Sequence, residues 1–135
     1  MVDLGTATTF DVVNADGSLE GGVILPGGEV MRWALARRVA LLPDVAPAMP
    51  ARVIGRDTVS ALQSGCYWGA VALIEGLVER LRGAYGRPLT VIATGGLARH
   101  FAAGTRVFER VDPDLTLKGL VEIYRRNFGL PKEIK

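Results

Sequence analysis

Two short stretches hold the residues of this chain that could do chemistry: Asp3-Leu4-Gly5-Thr6-Ala7-Thr8-Thr9 at its start, and Thr94-Gly95-Gly96 far along it. In the first, a carboxylate leaves an apolar strand into a turn of glycine and small hydroxylated residues. Such a turn suits a phosphate with its counter-cation. Gly5 lets main-chain N–H groups approach an anion, Thr6 or Thr8 adds a hydroxyl, and Asp3 is placed to hold or orient the cation. A hairpin whose glycine serves only the turn fits the same residues, so the elements around them must decide.

Those elements read as follows. Residues 2–4 form a short buried strand, 8–14 a β-branched and aromatic one, and 19–25 a third, after the Asp16-Gly17 turn. Strands joined by such short turns form an antiparallel meander. The period then changes to that of a helix over 29–42, with Val30, Trp33, Leu35 and Val39 as its apolar face. Proline density makes 44–51 a stiff irregular loop.

Asp57 or Thr58 caps the longest helical pattern, whose apolar positions are Cys66, Ala70, Leu73, Ile74, Leu77 and Leu81. Gly65, Gly69 and Gly76 inside it each cost about 1 kcal/mol against alanine, which implies a close approach there, by packing more than by a ligand. Residues 83–88 end this helix. The run 89–93 is a central parallel strand, 97–102 a short helix, 107–111 another strand, and Leu117, Leu120, Val121 and Tyr124 mark a final helix.

The order β-β-β-α-α-β-α-β-α predicts an α/β, ribonuclease H-like mixed five-strand sheet with helices on its faces. The domain spans 1–127, and 128–135 is a loosely held tail. In such a sheet the ends of the first and fourth strands lie side by side, where ligands bind. Asp3-Leu4-Gly5-Thr6 and Thr94-Gly95-Gly96 should therefore meet across one cleft.

Composition narrows the possibilities. At 135 residues and 49% apolar, the chain suffices for one domain with a real core. The net charge is only +2, and a pI near 9.0 comes from arginines spread along the chain. No basic stripe interleaved with aromatics appears, so nucleic acid is not the expected partner. The single Cys66 excludes an internal disulfide and fits a reducing cytosol. No apolar run approaches the ~20 residues of a spanning helix, and Met1 leads into a strand rather than a secretory leader. The reading is a soluble cytoplasmic protein without membrane association.

Neither a P-loop nor a dinucleotide fingerprint is present, yet phosphoryl transfer stays open, since it rests on positioning and charge neutralisation. Taken together, the Asp3 to Val13 stretch, Gly21-Gly22-x-Ile24-x-Pro26-Gly27, Gly55-x-x-Thr58, Ser64-Gly65-x-x-x-Gly69, Thr94-Gly95-Gly96 and Leu115-Thr116-Leu117-Lys118-Gly119-Leu120 resemble type III pantothenate kinase. That family belongs to the acetate and sugar kinase, heat-shock ATPase and actin superfamily, with a duplicated ribonuclease H-like fold.

The resemblance implies ATP-dependent phosphorylation of pantothenate to 4'-phosphopantothenate, the first step toward coenzyme A, with Mg2+ and K+ or NH4+. It also exposes what this sequence lacks: the family's first phosphate loop, Asp-x-Gly-Asn-Thr, and the Gly-x-Asp-Arg stretch with the catalytic aspartate. The chain looks like the second half alone, inactive by itself, and no catalytic base is assigned.

By the same resemblance, Asp3 is the monovalent-cation ligand, Thr6 an ATP-phosphate contact and Thr58 a pantothenate contact. Gly95 and Gly96 lie against the adenosine, and Asp11 has a structural or supporting role. The partners implied are pantothenate, ATP, and a second copy in a homodimer or the missing N-terminal half.

Three bland readings stand beside these: His100 as a solvated side chain, Cys66 as a small buried apolar residue, and the Arg37-Arg38 and Arg125-Arg126 pairs as solvated faces. Trp33 and Trp68 read as core or interface anchors. A half-fold should also expose an apolar patch near the first strand. Two other functions compete. One is a non-catalytic nucleotide-binding or interaction module of the same fold. The other is a ribonuclease H-type nuclease, which needs clustered carboxylates that Asp3 and Asp11 alone do not supply.

Overall fold

The computed structural model describes residues 1–129. It contains β1 (Val2–Leu4), β2 (Ala7–Val13), β3 (Leu19–Pro26), α1 (Gly28–Arg38), α2 (Thr58–Tyr85), β4 (Ile92–Thr94), α3 (Ala98–Ala102), β5 (Arg110–Val111) and α4 (Leu115–Phe128). The strands form one mixed sheet in the order β3-β2-β1-β4-β5. The meander β1-β2-β3 is antiparallel, and β4 and β5 add in parallel on the other side of β1. The expected α/β class, sheet and element order are all present. The tail expected from 128 onward starts one residue too early, because Phe128 still belongs to α4 and Gly129 caps it; the rest of that tail, 130–135, lies outside the described residues.

The core joins the central strands to one face of α2. Val2, Leu4, Phe10 and Ala93 pack on Tyr67, Ala70, Val71, Ile74 and Val78, with Ala98 and Phe101 of α3 closing one end. Asp57 caps α2 reciprocally: its carboxylate accepts from the Ser60 N–H, while the Ser60 hydroxyl serves the Asp57 backbone. Gly86, in the left-handed region at φ 68°, ends the helix.

Several local expectations are corrected. The fourth strand begins at Ile92 instead of 89, because β1 reaches back only to the register Val2 opposite Ala93 and leaves 89–91 without a neighbour on that side. The fifth is two residues long, since the Val107 N–H turns to the Thr105 hydroxyl at 3.3 Å before the chain reaches β4. Helix α1 stops at Arg38, and Leu41 has a positive φ of 71°. Its supposed apolar face is also outward: Trp33, Leu35 and Val39 are exposed, and Met31 packs on the core instead.

The α2 glycines meet nothing at Gly65 or Gly69, and Gly76 only the Arg80 side chain, so no close helix approach explains them among the described residues. The apolar patch foreseen near the first strand is elsewhere. β1 is central, with Val2 and Leu4 buried, and the most exposed apolar residues sit on β3, on α4 and in the loop between α1 and α2.

Candidate functional site

Parallel pairing of β1 with β4 sets Asp3 opposite Thr94, so the two chain exits lie next to each other. Asp3 also faces Thr9 of β2. Its Oδ1 occupies the place where a side chain on Gly95 would begin, and lies 3.7 Å from where one on Gly5 would. The carboxylate is thus lodged between two glycine turns that are far apart in sequence. Gly95 must be glycine twice over. Its φ is 92°, and a Cβ there would stand 2.7 Å from backbone atoms of Leu4. The Leu97 N–H donates to the Leu4 carbonyl at 3.0 Å, which fastens the second turn to the end of β1.

A third glycine turn joins them. Antiparallel register places Pro26 opposite Ala7, so the chain after β3 arrives at the first turn. The Gly27 N–H donates to the Thr6 carbonyl at 2.9 Å, and a Cβ on Gly27 would run into the Gly5 and Thr6 carbonyls. Gly28 then opens α1 against the Phe101 ring, 3.2 Å from its would-be Cβ. The meander register alone places Gly27-Gly28 against Thr6.

Around this junction Thr6 is exposed, Gly96 has open space beside it, and Asp3 is half-buried. The Thr94 side chain shares a sheet face with Asp3 by register, is 1% exposed, and keeps a hydroxyl with no hydrogen-bond partner among the described residues. A buried hydroxyl left unmatched costs free energy, so something polar is expected there.

Not every expected residue joins this junction. Thr58 lies in a separate shallow pocket with Leu35, Leu42, Ala61, Leu62, Gly65 and Cys66, none of them from the strand exits. Asp11 sits opposite Met1, two residues along β2 from the Thr9 that faces Asp3. Its main chain exchanges hydrogen bonds with Met1 at 2.7 and 2.9 Å, and its carboxylate accepts from the Thr9 hydroxyl at 3.2 Å. Among the described residues no group of three or more His, Cys, Asp or Glu side chains could hold a metal ion.

His100 is not the solvated side chain expected: its ring meets those of Tyr67 and Phe101 edge-on at 5.1 Å each. Cys66 is half-buried rather than fully so, and burial pushes its thiol pKa up against the opposing pull of Arg32. Trp68 packs on the core against Tyr67, whereas Trp33 is exposed with Arg37 over its ring. Of the arginine pairs, Arg37 and Arg38 are exposed as expected, and Arg126 pairs with Glu122 at 2.8 Å.

Asp112, at the exit of β5, was missed. It is 5% exposed, and both its carboxylate oxygens accept from the Lys118 ammonium at 2.8 and 2.7 Å, with Arg110 at 3.2 Å. An aspartate between a strand and a helix, followed by proline, was the available signal. The Lys118 hydrogen bond is the main cause holding its pKa below the ordinary aspartate value. A lowered folded-state pKa gives stability that is fully present above the unfolded value of about 3.9 and is lost as pH falls through the folded one. Acid titration of unfolding should therefore show a falling limb below about pH 4 that Asp112→Asn flattens. The same variant should lose amide-exchange protection at the start of α4.

The family model described as type III pantothenate kinase matches residues 1–80. The chain belongs to that family. It is 51% identical to the type III pantothenate kinase of Maricaulis maris over 96% of this chain and 50% of that protein. To that of Caulobacter vibrioides it is 54% identical over 94% and 49%, and to that of Paramagnetospirillum magneticum 55% over 94% and 49%.

The chain spans about half the length of the curated relatives it matches. Its fold is shared with a crystal structure of a Campylobacter jejuni protein described as a conserved Baf family transcriptional activator. That match has a TM-score of 0.66 at 24% identity, over 96% of this chain and 58% of the other. No helix among the described residues is long and apolar enough to cross a membrane.

Proposed function

We propose that this chain is the C-terminal, ribonuclease H-like half of a cytoplasmic kinase that phosphorylates pantothenate to 4'-phosphopantothenate with ATP, and that it is inactive alone. One observation carries the reading: the Asp3 carboxylate seated between the Gly5 and Gly95 turns. A meander extended by two parallel strands beyond β1 supports the half-fold assignment.

In this reading a triphosphate nucleotide lies across the junction. Thr6, exposed at the first turn, donates its hydroxyl to phosphate, and the open side of Gly96 with Gly95 receives the adenosine. Asp3 holds K+ or NH4+, and the unpartnered Thr94 hydroxyl beside it fits such a cation or its water. The ion would offset phosphate charge, and Mg2+ would arrive with the nucleotide. This half then contributes positioning and electrostatic neutralisation, while proton removal from the pantothenate hydroxyl falls to a residue outside this chain. Thr58, in a pocket between α1 and α2 away from the strand exits, contacts pantothenate across a homodimer in this reading.

The test is an ATP-to-pantothenate assay on the chain alone and on the chain co-expressed with the first half of the Caulobacter vibrioides relative. No turnover alone and K+-dependent turnover with the added half is the expected result. Turnover by the chain alone overturns the reading of a missing base. ATP binding without turnover in the pair points instead to a non-catalytic nucleotide-binding module.

A further inference from the structure

Three polar side chains share one row of the sheet. Register sets Asp3 of β1 opposite Thr94 of β4. The β4–β5 register, Ala93 opposite Val111, carries one step further to Asp112 opposite Thr94, and the Asp112 N–H donates to the Ala93 carbonyl at 2.8 Å. Val2, Leu4, Ala93 and Val111 pack on the core, so Asp3, Thr94 and Asp112 alternate to the other face. Two carboxylates thus flank a hydroxyl that is 1% exposed and has no hydrogen-bond partner among the described residues.

Two strand spacings put the carboxylate-bearing residues about 10 Å apart. That is too far to grip one ion together, yet close enough for each charge to be felt at the other. The two carboxylates are not treated alike. Among the described residues no cation pairs with Asp3. Asp112 accepts from the Lys118 ammonium with both oxygens, at 2.8 and 2.7 Å, and from the Asp114 N–H at 3.2 Å. Arg110 adds a contact at 3.2 Å from a side chain that is 65% exposed.

We propose that Lys118 sets the charge of the cation site at Asp3: by neutralising Asp112 it biases the row beside the Thr94 hydroxyl toward monovalent over divalent ions. The inference rests on the cation reading of Asp3 above. The number of charges around an oxygen site is one of the levers that ranks the ions it takes. At an effective dielectric constant of about 20, one unit of charge two strands away changes monovalent affinity on the order of tenfold and divalent affinity on the order of a hundredfold. Lys118 supplies that unit from α4, outside the sheet that holds the ion. Its role is electrostatic and touches neither the ion nor the nucleotide.

The experiment titrates the chain itself with Tl+, a K+ surrogate followed by thallium NMR, and with Mn2+, followed by electron paramagnetic resonance. Lys118→Met should bind Tl+ about tenfold and Mn2+ about a hundredfold more tightly than the wild type. Lys118→Arg should behave as the wild type. Adding Asp112→Asn to Lys118→Met should return both affinities to wild-type values, and Asp3→Asn should lose Tl+ binding. A clamp that only steadied α4 would weaken binding when cut, so tighter binding separates the charge effect from a structural one.

Urea midpoints report whether each variant folds. Should Lys118→Met fail to fold, Arg110→Gln removes the other cation from an exposed position and should tighten Mn2+ binding in the same direction. Unchanged or weaker Mn2+ binding in the folded variant overturns the proposal, as does a tightening that persists once Asp112 is also replaced. In both cases Asp3-dependent Tl+ binding leaves the cation reading standing. Absence of Asp3-dependent Tl+ binding in every variant overturns that reading and the role of Lys118 with it.

Discussion

Gly95→Ala should lower the chain's urea midpoint sharply, whereas Gly96→Ala next to it should leave that midpoint unchanged. At Gly95 the backbone sits at φ 92°, a conformation that costs an L-residue about 1–2 kcal/mol. The added methyl would also stand 2.7 Å from Leu4 backbone atoms and overlap the Asp3 carboxylate. A side-chain tip could swing away; β1 cannot, because it is paired on both sides. The combined loss is about 3 kcal/mol or more, a large part of the ~5–15 kcal/mol that holds a domain together.

Gly96 has open space around it and costs within about 0.5 kcal/mol on mutation. Urea midpoints by circular dichroism separate the two variants. If Gly95→Ala unfolds at the wild-type midpoint, the close approach of the two turns is wrong. Gly96→Ala adds a readout of the proposed nucleotide site. In the complex with the added first half it should weaken ATP binding at least tenfold, about 1.4 kcal/mol, without moving that midpoint.

The second large effect is expected at Tyr67, the bulkiest fully buried side chain. Its ring packs against Trp68, His100 and Phe101, its hydroxyl donates to the His100 carbonyl at 3.2 Å, and Gly104 is small because that hydroxyl lies beside it. It thereby joins α2 to the helix that follows the Gly95 turn. Tyr67→Ala should cost about 3–5 kcal/mol, as other large aromatic deletions do. Tyr67→Phe should cost only about 0.5–1.5 kcal/mol for the hydrogen bond.

Burial also raises the Tyr67 hydroxyl pKa. A raised folded-state value means stability is intact below the unfolded pKa of about 10 and is lost as pH rises through the folded one. The Phe variant should lack this alkaline limb, and an unchanged limb would show that another group causes it.

The features legible in the sequence were those dictated by neighbours along the chain. Asp-Gly at 16–17 gave the hairpin, Asp57 the cap of α2, and Thr94-Gly95-Gly96 after an apolar run gave the second exit. Right-handed crossover rules then sufficed to set Asp3 beside Thr94. What stayed hidden depends on partners distant in sequence. Strand length at 89–94 is fixed by where β1 begins, and the outward turn of Trp33 by how α1 is pinned through Gly27 and Gly28. His100 acquires its aromatic neighbours only when α3 lands on Tyr67. Asp112 gained its weight from a lysine on the following helix, a pairing that periodicity does not reveal.

Helix α2, with 28 residues, is about 42 Å long. It is pinned mid-span by Tyr67 and at its far end by the Tyr85 hydroxyl, which donates to the Asn14 side chain at 2.8 Å. The turns from Thr58 to Gln63 contribute no buried side chain and are held instead by the preceding loop, through the Gln63 side chain donating to the Ala46 carbonyl at 3.3 Å and the close approach of Gly55 to Ser60 and Ala61. A change at the loop of residues 46–55 is therefore felt first by the opening turns of α2, while the stretch from Tyr67 to Tyr85 is held separately at the sheet.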